Sequence, residues 1–137
     1  MLFPTVPSYQ SGLGLTARTT PDISYNAAVN GGVLVYYTAL GSPAWFVVGG
    51  TSAGSPQWAA IIALANQAAG HSLGFINPAL YRLAESAHYA NDFHDITVGN
   101  NQLVGTPVGF NAAAGYDFAT GWGTPNVANL VSDLPTA

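Results

Sequence analysis

With 137 residues, 49% of them hydrophobic, the chain has the material for one domain with a sizeable core. Only 6% of the residues are charged, against about a quarter in an average soluble protein, and the net charge of −4 includes two arginines and no lysine. Nucleic acid is therefore excluded as an expected partner, because no basic footprint exists to neutralise phosphates. There is no cysteine, so redox compartment is not legible. Polar or glycine residues interrupt every apolar run before about 18 positions, so no membrane span is expected. Met1-Leu2-Phe3-Pro4 is too short, and too soon broken by proline, for a targeting segment. Solubility rests on Ser, Thr, Asn, Gln and main-chain groups, which lose little when carboxylates protonate. Such a composition suits an acid medium, although surface neutrality has other causes.

Pro4, Pro7, Gly12 and Gly14 make residues 1–20 an irregular entry to the fold. Residues 22–25 read as a short strand, with Asp22 at its start hydrogen-bonding local backbone; Arg18 awaits a carboxylate partner that the sequence does not name. Asn30-Gly31-Gly32 is a turn signal before the β-rich residues 33–38, and residues 44–48 are a second β-rich run. Together they predict a hairpin that delivers the chain to Gly49-Gly50-Thr51-Ser52-Ala53-Gly54-Ser55-Pro56. Two glycines permit a sharp turn, and Ser52 then stands exposed where strand gives way to helix. A serine so placed suits a nucleophile, with amide N–H groups of the helix start available to a developing oxyanion. The same pattern serves an ordinary serine N-cap after a glycine turn. Pro56 suits the first helical turn. The following residues 58–65 are apolar on every face, which predicts a helix buried on all sides and closed by Gly70.

Asn77-Pro78 starts a second predicted helix over 78–85, with Leu80, Tyr81 and Ala84 on one face and Arg82–Glu85 as a solvated pair. His71 and His88 read as surface residues, and His94 as a neighbour of Asp95 rather than a ligand. Residues 92–122 are rich in Gly and Asn, and so long a loop in a compact domain is functional or pinned. Asp95 and Asp117 within it read either as Asx-turn residues or as carboxylates for a hard cation such as Ca²⁺. Residues 126–134 close the chain as a helix, with Val127, Leu130, Val131 and Leu134 on one face and Pro135 as its stop.

The serine motif Gly49-Gly50-Thr51-Ser52-Ala53-Gly54-Ser55-Pro56 resembles that of the subtilisin-like clan. Pro7-Ser8-Tyr9-Gln10 and Arg18-Thr19-Thr20-Pro21-Asp22-Ile23-Ser24 before it, with Gly74-Phe75-Ile76-Asn77-Pro78-Ala79-Leu80-Tyr81, Phe93-His94-Asp95-Ile96-Thr97-Val98-Gly99-Asn100 and Gly115-Tyr116-Asp117-Phe118-Ala119-Thr120-Gly121-Trp122-Gly123-Thr124-Pro125 after it, resemble the sedolisins, or serine-carboxyl peptidases, of kumamolisin type. The resemblance covers nearly the whole chain in the right order. It implies an α/β, partial subtilisin-like fold: a parallel sheet with flanking helices, the Ser52 helix packed on residues 23–48, and a calcium-binding loop near the C-terminus. It also implies an acid-acting, secreted serine-type endopeptidase with Ser52 as nucleophile. The family's Ca²⁺ site falls on Asp95, the carbonyl of Ile96, the carbonyls of Ala113 and Gly115, and Asp117; Ala113 stands where the family often has glycine.

A serine hydroxyl needs a base. In sedolisins that base is a Glu with an Asp four residues later, and another Asp completes the oxyanion site, all upstream of the serine. Here Asp22 is the only carboxylate before Ser52, and the sole glutamate, Glu85, has Tyr89 four positions on. No histidine precedes Ser52 either, so a subtilisin arrangement is also absent. The chain therefore reads as the C-terminal part of a peptidase domain. Two readings stay open: the serine- and calcium-bearing part of an endopeptidase, completed by an upstream segment or a second chain and acting on polypeptide, or a non-catalytic calcium-stabilised structural or binding module. A piece of a sheet should also expose apolar surface and self-associate.

Overall fold

The computed structural model describes residues 5–39 and 41–137; the Met1-Leu2-Phe3-Pro4 stretch lies outside them. A 3-10 helix, Ser8–Leu13, interrupts the irregular entry. Strands β1 (Val33–Tyr37) and β2 (Ala44–Val48) form the expected hairpin, antiparallel, with Val33 opposite Val48 and Tyr37 opposite Ala44. Cross-strand aromatics fix this register, Tyr36 lying 5.2 Å from Trp45 and Tyr37 6.3 Å from Phe46 between ring centroids. The helix α1 (Thr51–Ala69) follows directly and ends on Gly70 in the left-handed conformation. Next come α2 (Asn77–Ala84), the single turn α3 (Tyr89–Asp92) and the two-residue strand β3 (Phe93–His94). A long loop leads to β4 (Thr124–Pro125), antiparallel to β3, and to α4 (Val127–Asp133), closed by a 3-10 turn, Leu134–Thr136.

Ala65, Leu80, Tyr81, Leu83, Ala84, Phe93, Trp122, Leu130 and Leu134 form the core. It lies between α1, α2 and α4, so helices and the 93–125 crossing hold this chain together. The faces expected of α2 and α4 are the ones buried: Leu80, Tyr81 and Ala84 in the first, Leu130 with Leu134 just beyond the second. Around Tyr81 the aromatics Tyr9, Tyr116 and Trp122 stand 5.0 to 6.2 Å away, edge-on or tilted. These are the arrangements that ring quadrupoles favour.

Several expectations are corrected. No parallel sheet forms among the described residues, which hold two antiparallel pairs. Parallel neighbours need a crossover of a dozen or more residues, whereas the short link after Tyr37 returns the chain beside itself. Residues 22–25 form no strand; their backbone is met singly, Ser24 N–H donating to the Gly123 carbonyl at 2.9 Å and Trp122 N–H to that of Asp22 at 2.9 Å. The helix α1 is not buried on all sides: Gly54, Ile61 and Ala65 are buried, and Leu64 is half exposed. It packs chiefly on α4 and the C-terminal 3-10 turn rather than on the hairpin. A helix that is apolar all round buries only the faces that its neighbours reach. Both faces of the hairpin are exposed as well, Leu34 and Trp45 on one, each 66% exposed, and Tyr37 and Phe46 on the other, 44% and 41% exposed. Arg82 and Glu85 form no ion pair among the described residues, where the pairs are Arg18–Asp22 and His88–Asp133.

Candidate active site and cation loop

Ser52 sits where the sequence places it, exposed in the first turn of α1 immediately after the hairpin. The two glycines before it are each required for a different reason. A Cβ on Gly49 would stand 2.7 Å from the Val29 backbone, and Gly50 has φ 101°, a conformation that side chains rarely adopt. The Gly50 N–H donates to the Ala27 carbonyl at 2.7 Å, which anchors the turn to the segment before β1. Position alone leaves the Ser52 N–H without an intrahelical partner. The next amide is occupied, Ala53 N–H donating to the Gly50 carbonyl at 2.9 Å, so fewer amides are free for an oxyanion than the helix start suggested. Pro56 stands inside α1 rather than in its first turn. Lacking N–H, it leaves the Ser52 carbonyl without its acceptor role four residues down the helix.

The one carboxylate before Ser52 is committed elsewhere. Asp22, expected to bond local backbone, instead takes Arg18 Nη2 at 2.6 Å, the Tyr81 hydroxyl at 2.8 Å and Asn77 Nδ2 at 3.2 Å. Two of those donors lie on α2, so Asp22 ties the entry segment to the core. Gln10, fully buried, completes the tie by donating to the Thr19 carbonyl at 2.9 Å and to Tyr81 Oη at 2.7 Å. Burial, and then the Asp22 carboxylate, holds the Tyr81 phenol protonated far above its ordinary range. Glu85 caps α2, with its carboxylate against Gly12.

The five residues of the expected cation site lie in one loop system. Asp95 Oδ2 accepts the Gly115 N–H at 2.9 Å, and Asp117 Oδ2 accepts the Ala113 N–H at 2.9 Å. Ile96, half-buried, follows Asp95 directly. The two aspartates differ in a way that bears on a cation. Asp117, 7% exposed, is also an Asx-turn residue, its Oδ1 taking the N–H of Ala119 at 2.8 Å and of Thr120 at 2.7 Å. Asp95 Oδ1 is buried with no hydrogen-bond partner. The nearby Tyr89 hydroxyl donates to the Trp122 carbonyl at 3.2 Å, and burial followed by the Asp95 carboxylate pushes that phenol upward. A buried anionic oxygen without a donor is costly unless a cation meets it, so the Asp95 carboxylate fits a hard cation, which prefers oxygen ligands. His94 is exposed on β3, apart from any such role.

A further group escaped the sequence reading. His88, read as an isolated surface residue, places Nδ1 2.9 Å from Asp133 Oδ2, and buried Asp92 lies beside both. The signal available was the spacing of His88 and Asp92, four apart and hence on one face of a helical turn.

No helix among the described residues is long and apolar enough to cross a membrane. No family model matches the chain. Kumamolisin of Bacillus sp. (strain MN-32) is 37% identical over 132 residues, which cover 96% of this chain and 22% of kumamolisin. Sedolisin of Pseudomonas sp. (strain 101) is 36% identical over 132 residues, covering 94% of this chain and 21% of sedolisin. The chain thus spans about a fifth of the length of these curated relatives. The solved structure of Pseudomonas sedolisin, a serine-carboxyl proteinase complexed with two molecules of pseudo-iodotyrostatin, matches with a TM-score of 0.80 at 35% identity, over 95% of this chain and 34% of that one. An α/β fold of the sedolisin type, shared at this identity across almost all of its residues, makes the chain a member of the sedolisin, or serine-carboxyl peptidase, family.

Proposed function

We propose that this chain is the serine- and calcium-bearing C-terminal part of an acid-acting, secreted serine-type endopeptidase domain. The observation that carries the reading is Ser52, exposed in the first turn of α1 behind a turn whose Gly49 has no room for a Cβ and whose Gly50 has a positive φ. Ser52 Oγ attacks the scissile carbonyl of a polypeptide and loses its proton to a base, while the Ser52 N–H faces the oxyanion. The base, its orienting carboxylate and the remaining oxyanion group come from outside this chain, since Asp22 is held by Arg18, Asn77 and Tyr81. The hairpin, apolar on both faces, is the surface on which the rest of the domain, or a second copy, would pack. Ca²⁺ would be held by Asp95 and Asp117 with the carbonyls of Ile96, Ala113 and Gly115, and it supplies a fixed positive charge that pins the loop.

The chain alone is expected to hydrolyse no denatured protein at about pH 3 to 5, because loss of the base removes most of a serine peptidase's rate enhancement. A chimera in which this chain replaces the matching stretch of Pseudomonas sedolisin tests the reading directly. It should cleave peptide substrates and lose that cleavage in Ser52→Ala. A folded chimera without activity, or with activity indifferent to Ser52→Ala, would instead leave a calcium-stabilised module without catalysis.

A further inference from the structure

Asp92 is 0% exposed, and neither of its carboxylate oxygens has a hydrogen-bond partner. An isolated buried carboxylate in that condition is among the costlier features a fold can carry. Two other ligand-type groups meet it. A ring nitrogen of His88 and one carboxylate oxygen each of Asp92 and Asp133 all lie within 4.8 Å of one another. His88 is the N-cap and Asp92 the last residue of the single turn α3, and Asp133 is the last residue of α4. The two helices are locked together beside the group: Asn126 N–H donates to the Asp92 carbonyl at 2.7 Å, and Asn129 Nδ2 to the Asn91 carbonyl at 2.8 Å.

We infer that His88, Asp92 and Asp133 form a second metal site, distinct from the Asp95–Asp117 loop, for a divalent transition ion of the Zn²⁺ class. The 2.9 Å between His88 Nδ1 and Asp133 Oδ2 corresponds to an angle of roughly 90° at an ion about 2.0–2.2 Å from each, so a small opening of the pair admits the ion. One imidazole and two carboxylates favour Zn²⁺ over Ca²⁺, which takes oxygen ligands throughout. The side chains of His88 and Asp133 are 55% and 30% exposed, which provides an entry path and room for water to complete the coordination. Asp92 then gains the cation that its buried oxygens lack. The site joins α3 to α4, so its ion cross-links the C-terminal end of the chain to the segment that leads into β3.

The test is calorimetric titration of the full 137-residue chain with Zn²⁺ near pH 7.5 in excess Ca²⁺, which keeps the oxygen-only loop saturated. One Zn²⁺ per chain is expected, with affinity falling at least about tenfold in His88→Gln and in Asp92→Asn, and unchanged in His71→Gln and His94→Gln. Co²⁺ should give a d–d absorption band that His88→Gln removes, a readout that does not depend on folding stability. Both variants should fold, since His88 is on the surface and Asp92→Asn removes a buried charge. A Zn²⁺-induced rise in melting temperature should vanish in His88→Gln. Zn²⁺ binding that is absent, that survives both variants, or that follows His71 or His94 overturns the site. Full binding in Asp92→Asn alone also overturns it, and leaves Asp92 as a protonated group leaning on Asp133.

Discussion

Tyr81→Phe probes the network that joins the entry segment to the core, and its cost can be worked from the structure. The ring is 1% exposed and is kept, so no cavity follows. What disappears is the hydroxyl, which donates to the Asp22 carboxylate at 2.8 Å and accepts from Gln10 Nε2 at 2.7 Å. Gln10 Nε2 retains the Thr19 carbonyl, so its loss is small. Asp22 retains Arg18 and Asn77 but loses a charge-assisted bond inside the protein, worth about 1.5–3 kcal/mol. A destabilisation of roughly 2 kcal/mol is expected. At an unfolding entropy of about 2.1 cal/mol/K per residue, that lowers the melting midpoint of a chain this long by roughly 7 °C. Urea and thermal unfolding, followed by circular dichroism, measure it. A double-mutant cycle with Asp22→Asn should show a coupling of about 1 kcal/mol or more, because the two groups touch. A Tyr81→Phe cost below about 0.5 kcal/mol, or strict additivity with Asp22→Asn, would refute the account and leave Asp22 held by Arg18 alone.

Leu130→Ala, at a fully buried position in α4 facing α1, should cost about 2–5 kcal/mol in the same unfolding assay, the range for buried leucines. Excess EDTA should lower the melting midpoint near neutral pH, and added Ca²⁺ should restore it in the native chain but not in Asp95→Asn or Asp117→Asn. An unchanged midpoint, with no Ca²⁺ found by elemental analysis, would leave Asp117 as a turn residue. Asp92, with no divalent ion added, should make stability fall as pH rises. Burial, then the Asp133 carboxylate, holds its carboxyl above the usual 3.8, so the folded state keeps a proton that the unfolded chain has lost. The loss begins at that unfolded value and is complete above the raised folded one, and Asp92→Asn should be the more stable protein at neutral pH. A flat pH profile, or a less stable Asp92→Asn, would contradict it.

The parts of the site that were legible are those fixed by local chemistry. Two glycines, one needed for close approach and one for a positive φ, mark the turn before Ser52 whatever surrounds it. The loop set of Asp95, Ile96, Ala113, Gly115 and Asp117 came from resemblance, and in the structure the Asp95 carboxylate takes the Gly115 N–H and the Asp117 carboxylate the Ala113 N–H. Asp22 and the His88 group were misread for one reason. Beyond Arg18 and the His88–Asp92 spacing, the partners are 45 to 59 residues away, in α2 and α4, and no local pattern announces those pairings. Local rules gave Asp22 its own backbone as partner because they contain only local partners.

Burial was misread on a different ground. Apolar periodicity reports what a segment is able to bury, and the elements that pack against it decide what is buried. In α2 and α4 the two agree, because each meets the other elements of this chain along the face its sequence marks. In α1 they part: the stripe through Ile61 and Ala65 meets α4, while the opposite face, Leu64 included, meets nothing among the described residues. The hairpin carries the same discrepancy on both faces, with valines, tyrosines, Trp45 and Phe46 exposed at once. A free two-stranded ribbon of that composition would be a poor solution for water, since its edges and faces all invite pairing. The hairpin leads directly into the Ser52 turn, where the proposed catalytic carboxylates would have to arrive. One packing event would then cover the apolar surface and complete the site, so self-association measured by sedimentation should weaken when Trp45→Ser thins one apolar face of the hairpin and Phe46→Ser the other.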